Sequence, residues 1–493
     1  MTTNKLGSPQ ARLFWVALSG VLLASRLAHR NILWADEDYH IAEAVQVLLG
    51  KVLYRDVWYD KPPLSALFLA LFGAPTGWAL RLLGATLAIA NCAVAFRFAK
   101  RIWGAPEGFF AASLLGFFQV FYIASATIPV EPDTLMLLPH LLAVYLAWSG
   151  KPLAAGIAAG FAFLLNLKGL FVLASCLLFV PLAPVAWASL AAGFSAPVLA
   201  AAAWFGFEGA LPAYLEQVWR WGLLYAGSPP NETTFAPLQR LGDWLAFHGV
   251  LVLGAGLFIA RPSALRWKWL GWTALSLAAT CVGWRISPHY LNQLLPPLTI
   301  AAAAGLASLR SRDHRERLPF STSTTRIATA LVLIGLLVPI IRFGPRYAIL
   351  AAEDIKDKGH DWSDVQMDQD SRRAASLIHR IARKNDTIFI WGYRPNLIAY
   401  TGLPVASRFW DSQPITGVAA DRHLGNATPL DPGWAKQNRA ELIQTHPSII
   451  VDGLSAYNPK LDIHSFPDLA EWLSHYCDVS TTGTGITIYK LCR

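Results

Sequence analysis

The residues best suited to chemistry lie in one stretch, Asp36 to Leu64, which reads DEDYHIAEAVQVLLGKVLYRDVWYDKPPL. Consecutive carboxylates Asp36, Glu37 and Asp38 are followed by the cations Arg55 and Lys61, and Lys61 stands directly before Pro62 and Pro63. A carboxylate can take the proton of a hydroxyl as that oxygen attacks an electrophile, and a cation can hold an anionic leaving group. Helix capping and attraction to the helix dipole would also place acids here, but one acid suffices for that. The run, together with Arg55 and Lys61, is therefore read as a general base and an anion-binding cation around one pocket. For Lys61 alone, a lysine snorkelling to headgroups at a stiff loop-to-helix entry is the competing account.

Two further groups invite the same question. Glu131-Pro132-Asp133 opens another helix, where it serves equally well as a cap with proline in the first turn or as a second acidic site. The stretch WRISPHYLNQLLPP places Arg285, His289 and Tyr290 at the outer end of an apolar segment. Arg285 is balanced between phosphate binding and snorkelling, and His289 taken alone reads more simply as a structural histidine.

The rest of the sequence decides what must hold these groups. Of 493 residues 54% are hydrophobic and 15% charged, and mean hydropathy is +0.38, so the main solvent is lipid. Apolar segments of spanning length occur at 12–29, 77–99, 104–123, 133–149, 152–167, 169–185, 187–207, 244–260, 267–284, 290–308 and 326–343. That is about eleven transmembrane helices, with a further span or an interfacial helix at 64–75. Gly156 and Gly160 make a small-xxx-small spacing suited to close helix packing.

Basic residues in short loops, namely Lys5, Arg12, Lys100, Arg101, Lys151, Arg261, Arg266, Lys268, Arg310, Arg312, Arg315 and Arg317, all fall on one side. Positive-inside makes that side cytoplasmic. The N-terminus is then cytoplasmic, with a retained first helix rather than a cleaved signal. The 30–63, 124–132 and 208–243 loops, the 285–289 turn and the C-terminal region face outward. The expected organisation is a polytopic protein of the cell (inner) membrane, with a transmembrane catalytic module over 1–345 and a small extracytoplasmic α/β domain over 346–493.

On the outer face, Ile41 to Leu49 and Leu211 to Trp221 repeat apolar residues at helical spacing and are expected to lie on the membrane surface. In the C-terminal region, helices are expected near 370–383, 435–444 and 467–475, and strands at 387–392, 448–453 and the final ITIYKL. No glycine-rich phosphate loop is present. Nothing points to nucleic acid either: the formal charge of +9 reports topology and anionic headgroups. Cys92, Cys176 and Cys281 sit in apolar segments; Cys477 and Cys492 flank a turn and a strand and would be bridged only in an oxidising compartment. No cysteine or histidine spacing matches a metal site.

With these pieces assembled, the Asp36–Leu64 stretch resembles the first extracytoplasmic loop of GT-C glycosyltransferases that use polyprenyl-phosphate sugars. That group includes protein O-mannosyltransferases and the bacterial transferase that adds aminoarabinose to lipid A. The acidic pair after the first helix, a Tyr-x-Asp followed by Lys61-Pro62-Pro63, the acidic Glu131-Pro132-Asp133, His289-Tyr290 before a late proline-containing helix, and WGYRPNLIAYTGLPVASRF occur in the same order as in that group. The resemblance covers essentially the whole chain and is specific for the superfamily rather than for a sugar.

It implies a donor sugar on undecaprenyl or dolichyl phosphate and an acceptor hydroxyl on a lipid, glycan or protein at the outer face. It also implies Asp36 as base, with Glu37 orienting the acceptor or holding Asp36. Lys61 and Arg285 would clamp the phosphate, with His289 and Tyr290 contributing less, and Glu131 and Asp133 would shape the acceptor or sugar pocket. Asp38 stands where relatives often carry a small residue, which leaves the base within Asp36, Glu37 and Asp38. No obligatory metal is expected, although a divalent cation could bridge carboxylates and phosphate. The competing readings are a transferase of whole oligosaccharides or polymers, a multi-span transporter and a non-catalytic accessory protein. A transporter should show internal repeats and interrupted helices, and an accessory protein has no need for acid, lysine and late arginine together. Asn231 and Asn426 head sequons that only a glycosylating host would use.

Overall fold

The computed structural model describes residues 9–228, 235–310, 322–356, 362–392, 394–417, 429–480 and 485–492. Lys5, Arg312, Arg315, Arg317, Asn231 and Asn426 lie outside the described residues. The chain opens with α1 (Pro9–Leu27), α2 (Ala35–Leu48), α3 (Leu64–Leu71), α4 (Gly77–Ile102) and α5 (Ala105–Phe118). Two single-turn helices, α6 (Ala124–Thr127) and α7 (Pro132–Leu135), lead into α8 (Leu137–Trp148), α9 (Pro152–Leu165), α10 (Gly169–Leu177) and α11 (Pro184–Phe207). Helices Leu265–Cys281, Leu295–Arg310 and Thr322–Lys356 follow, after a pair, Ala236–Phe247 and Gly249–Ile259, bent by 76°.

Among the described residues three helices are long and apolar enough to cross a membrane, Gly77–Ile102, Pro184–Phe207 and Thr325–Asp354, or four if the bent pair counts as one span. α3 has only 8 residues, about 12 Å at 1.5 Å per residue, and is not among these helices.

Contacts divide the chain into two compact units, each discontinuous in sequence. One gathers Met1–Arg30, Trp78–Leu199 and Thr234–Lys358; the other gathers Asn31–Gly77, Ala200–Thr233 and Gly359–Arg493. In the first, helices approach closely through small residues, as expected where lipid leaves little hydrophobic drive for association. A Cβ on Gly156 would lie 2.1 Å from the Leu190 carbonyl oxygen, and one on Gly160 would lie 2.5 Å from Pro197 Cγ, so α9 packs directly on α11. Buried Arg26 closes α1 on its neighbours by donating to the carbonyls of Gln119 (2.9 Å) and Thr127 (3.3 Å).

The second unit is built on a four-stranded sheet ordered β1-β2-β4-β3, with β1 (Ile388–Trp391), β2 (Ile449–Asp452), β3 (Tyr476–Asp478) and β4 (Thr487–Leu491). β1 and β2 are parallel, Ile388 opposite Ile449, and the helix Pro432–Thr445 lies in the connection between them. Both read IFIW and IIVD and are buried throughout, as strands covered on both faces must be. β4 runs antiparallel to β2 and β3, and a Cys477–Cys492 disulfide links β3 to the residue after β4.

The two amphipathic stretches depart from the membrane-surface expectation. Ile41 and Ala44 of α2 are fully buried, although Leu48 and Leu49 remain exposed. In the second stretch a π-helical turn, Leu215–Arg220, shifts the register, and Trp221 is buried against Trp58 and Trp434 at 5.5 and 5.4 Å. Glu216 accepts the Trp434 indole N–H (2.9 Å) and Arg220 pairs with Asp431 (2.5 Å), so the polar face makes protein contacts while its charged groups stay partly exposed.

Candidate active site

The acidic run forms the first turn of α2, and its members have separate tasks. Glu37, fully buried, accepts the backbone N–H of Trp34 (3.3 Å), which satisfies a donor at the helix start. Asp38 is also buried and accepts the backbone N–H of Asn396 (3.2 Å) within the WGYRPN stretch. Burial, then the charges of Glu37 and Asp36, push its carboxyl well above the usual range and favour the neutral acid. Asp36 is half-buried, the member of the run that keeps access to solvent.

Farther along α2, Tyr39, Glu43 and Gln46 follow one helical face. Glu43 accepts the indole N–H of Trp410 (2.8 Å), and Gln46 bonds the Leu403 carbonyl and the Val405 N–H, each at 3.0 Å. The helix is thereby docked on the 403–411 segment through its polar stripe. Leu33 and Trp34 are held similarly, by Asp368 and Asp364 of the helix Ser363–Ile381, both at 3.1 Å.

The loop that carries Lys61 is clipped from inside. The amide of buried Gln217 accepts the Tyr59 N–H (2.8 Å) and donates to the Tyr54 carbonyl (2.7 Å), while the Tyr54 hydroxyl donates to the Lys61 carbonyl (2.9 Å). Lys61 Nζ bonds Asp60 Oδ2 at 2.7 Å, and the other oxygen of Asp60 accepts the Tyr39 hydroxyl at 2.9 Å. Although burial works against its charge, Asp60, with Tyr225 and Asp36 beyond it, holds the Lys61 pKa above the ordinary lysine value. Its side chain is still 43% exposed, so the ammonium can meet a ligand. Arg55 is instead engaged by Asp56 (2.8 Å).

Glu43 and Asp411, two buried acids that interact electrostatically with Asp60, form no ion pair among the described residues. Glu43 is raised well above the carboxylate range by burial first and then by Asp411 and Asp60; Asp411 is raised to about 8 by burial, with Asp60 adding to it. Because the folded pKa of Asp411 exceeds the unfolded value, its contribution to stability is complete below about pH 4 and is lost as pH rises through 8. Glu43 and Asp38 act in the same direction. The melting midpoint should therefore fall between pH 5 and 8, and Asp411→Asn should flatten the slope by up to about 1.4 kcal/mol per pH unit. A variant with the wild-type slope in thermal melts would refute the assignment.

In the other unit, Glu131 caps α7: its two oxygens accept the N–H groups of Asp133 and Thr134, each at 2.8 Å, and Thr134 Oγ1 accepts the Glu131 N–H at 3.1 Å. Asp133 is the acid that reaches side chains. Its Oδ1 is shared by Lys168 Nζ (3.3 Å) and Gln293 Nε2 (3.2 Å), and Lys168 Nζ lies 3.0 Å from the Tyr290 ring centroid. His289 packs edge-on against Tyr290 at 4.6 Å. Arg285 sits between Trp284 (φ 52°) and Ile286 (φ 41°), left-handed conformations that bulky and β-branched residues rarely adopt. Such strain persists where the surroundings over-determine it and concentrates at functional sites.

Of the residues singled out from sequence, Asp36, Glu37 and Lys61 thus belong to one unit and Glu131, Asp133, Arg285, His289 and Tyr290 to the other. The structure joins Asp133 to Tyr290 through Lys168, which the sequence analysis does not single out. A lysine within a long apolar stretch is itself a signal that could have found it. Asp60 and Tyr39, the partners of Lys61, were also missed. Among the described residues no group of three or more His, Cys, Asp and Glu side chains is arranged to hold a metal ion.

Comparison with known proteins gives the fold a place. Residues 60–207 match the family model described as dolichyl-phosphate-mannose-protein mannosyltransferase. The structure is similar to ArnT from Cupriavidus metallidurans bound to undecaprenyl phosphate, at a TM-score of 0.60 and 16% identity over 98% of each chain. The apo state of ArnT matches at 0.59 and 15% over 97% of each. The apo oligosaccharyltransferase of Archaeoglobus fulgidus matches at 0.51 and 13% identity, covering 99% of this chain and 75% of that one. No curated protein matches the chain in sequence. Over residues 60–207 the chain is similar to the mannosyltransferase family, and over nearly its whole length it has the GT-C glycosyltransferase fold.

Proposed function

We propose that the chain is an integral-membrane glycosyltransferase of about eleven spans that moves a single sugar from a polyprenyl-phosphate donor to a lipid, glycan or protein hydroxyl. In this reading residues 1–345 are the catalytic membrane module and 346–493 the extracytoplasmic domain, with the N-terminus cytoplasmic. The Cys477–Cys492 disulfide supports that orientation, since such bonds persist in oxidising compartments. ArnT, solved with undecaprenyl phosphate bound, supports the class of donor.

The observation that carries the assignment of roles is the division of labour in the acidic run. Glu37 and Asp38 are buried, Glu37 as a cap and Asp38 against Asn396, whereas Asp36 is half-buried, and that exposure is what supports Asp36 as the acid that meets an acceptor. Asp36 takes the proton of the acceptor hydroxyl while the oxygen bonds to the anomeric carbon. The bond from that carbon to the phosphate oxygen breaks with its electron pair, with inversion, and polyprenyl phosphate departs. Lys61, kept cationic and oriented by Asp60, stabilises the charge on the leaving phosphate, and the resemblance assigns a phosphate-binding role to Arg285 of the other unit as well. Asp133, held by Lys168 and Gln293, shapes the acceptor or sugar pocket with His289 and Tyr290 at its edge, and Glu131 sets the helix start that presents it.

The test is transfer by purified protein in detergent from a panel of radiolabelled polyprenyl-phosphate sugars, with product mass as readout. One donor should be consumed, with release of polyprenyl phosphate and a product heavier by one sugar. A mass increment of a whole oligosaccharide would favour the chemistry of the oligosaccharyltransferase relative instead. No consumption with any acceptor mixture would overturn the enzyme reading.

A further inference from the structure

The ring of Trp103 lies 5.6 Å from those of Phe258 and Trp269. The last turn of α4, the end of Gly249–Ile259 and the start of Leu265–Cys281 therefore share one end of the helical unit, where Lys100 and Arg101 emerge. An open groove of about 450 Å³ runs along α4 at this end. Ile89 and Ala93 line it in the apolar part of the span, and Phe96, Arg97, Lys100 and Arg101 line it toward the helix end, all on one helical face. From Ile89 to Arg101 the helix rises about 18 Å, enough to cover one leaflet of a hydrocarbon core about 30 Å thick. Trp15 of α1, edge-on to Phe96 at 5.6 Å, and Tyr145 of α8 complete the walls.

Charge in this groove is of one sign and confined to one end. No acidic side chain lines it, and among the described residues Arg97, Lys100 and Arg101 form no ion pair. Lys100 Nζ lies 5.6 Å over the Phe96 ring. Arg97 is exposed one turn inside the end of a candidate span, a costly position for a charge without an anion. We propose that the groove binds one anionic phospholipid, its phosphate held by Arg97, Lys100 and Arg101 and an acyl chain laid along Ala93 and Ile89. Guanidinium groups suit phosphate oxygens. A soluble anion would leave the apolar half unfilled, and a zwitterionic headgroup would bring its own cation against three others. None of these residues takes part in the sugar transfer proposed above.

Native mass spectrometry of the full-length protein, exchanged in detergent into phosphatidylglycerol or phosphatidylcholine, reads the retained lipid. Wild type should keep one phosphatidylglycerol. The triple variant Arg97→Gln/Lys100→Gln/Arg101→Gln should bind it roughly 100-fold more weakly, about fivefold per charge removed. Ala93→Trp, which fills the groove and leaves the cations, should lose it too, whereas Arg266→Gln/Lys268→Gln, which removes charge at the same end outside the groove, should keep it. Melting in the same detergent identifies a variant that fails to fold, in which case Ala93→Trp and the contrast between the two lipids on wild type decide. Wild-type retention by the folded triple variant, equal retention of phosphatidylcholine, or preferential retention of added undecaprenyl phosphate would each overturn the proposal.

Discussion

Asp36→Asn is expected to slow sugar transfer by about two to four orders of magnitude, the range lost when a general base is removed, while Asp38→Asn leaves the rate nearly unchanged. The contrast follows from the first turn of α2. Asp36 is half-buried and can reach an acceptor; an asparagine there has the same shape but cannot take a proton. Asp38 is buried, is favoured in its neutral form and accepts one backbone N–H from Asn396, a bond that an asparagine oxygen reproduces. Removing its ionisation should even raise the melting midpoint at alkaline pH, because a charge that would have to form in the interior no longer can. Donor consumption under saturating substrate, with melting of each variant alongside, is the measurement. A loss confined to Asp38→Asn at unchanged melting would move the base to Asp38. Activity of Asp36→Asn within about tenfold of wild type, a barrier change of only ~1.4 kcal/mol, would remove Asp36 from the reaction.

Local pattern was enough to find most elements, because their causes are local. The runs TIFIWG and SIIVDG contain β1 and β2, and the terminal ITIYKL contains β4, since β-branched and aromatic residues bounded by turn signals leave few alternatives. β3 escaped because its three residues, Tyr476–Asp478, carry no alternation; pairing with β4 and the adjoining disulfide define it. The segment 290–308 was legible as apolar but not as two pieces. Pro288 starts a 3-10 stretch, Pro288–Leu294, before the α-helix Leu295–Arg310 begins.

What the sequence could not convey is which polar residues meet across long separations. Asp38 with Asn396, Glu43 with Trp410 and Gln46 with Val405 join α2 to the 396–411 region, and each pair is distant in the chain. The helical period of α2 is legible only in its apolar residues, and nothing in that pattern shows that the face bearing Tyr39, Glu43 and Gln46 docks on protein. The same limit applies to the candidate site. The acids could be named from their positions, but their division into Glu37 as cap, Asp38 as buried acceptor and Asp36 as accessible acid depends on partners that lie elsewhere in the sequence.

Lys168→Met should be among the most destabilising single changes in the helical unit, at about 3–5 kcal/mol. Lys168 and Asp133 retain only 11% and 3% side-chain exposure, so neither charge has much water to fall back on. Methionine keeps the length of the stem and removes the ammonium, which takes away both the 3.3 Å ion pair and the cation–π contact with Tyr290. Asp133 would then be left with the neutral Gln293 amide as its remaining side-chain donor, and the desolvated carboxylate accounts for most of the cost. The double variant Lys168→Met/Asp133→Leu removes both charges and should recover most of the loss, because an apolar pair of similar volume is often no worse than a buried ion pair. Chemical unfolding in detergent across this cycle gives the coupling directly. Lys168→Met melting like wild type would mean that the pair contributes nothing to the fold. The double variant also separates architecture from function: folded but unable to transfer sugar, it would put Asp133 in the pocket, and folded with transfer intact it would confine the pair to holding α7 against the start of α10.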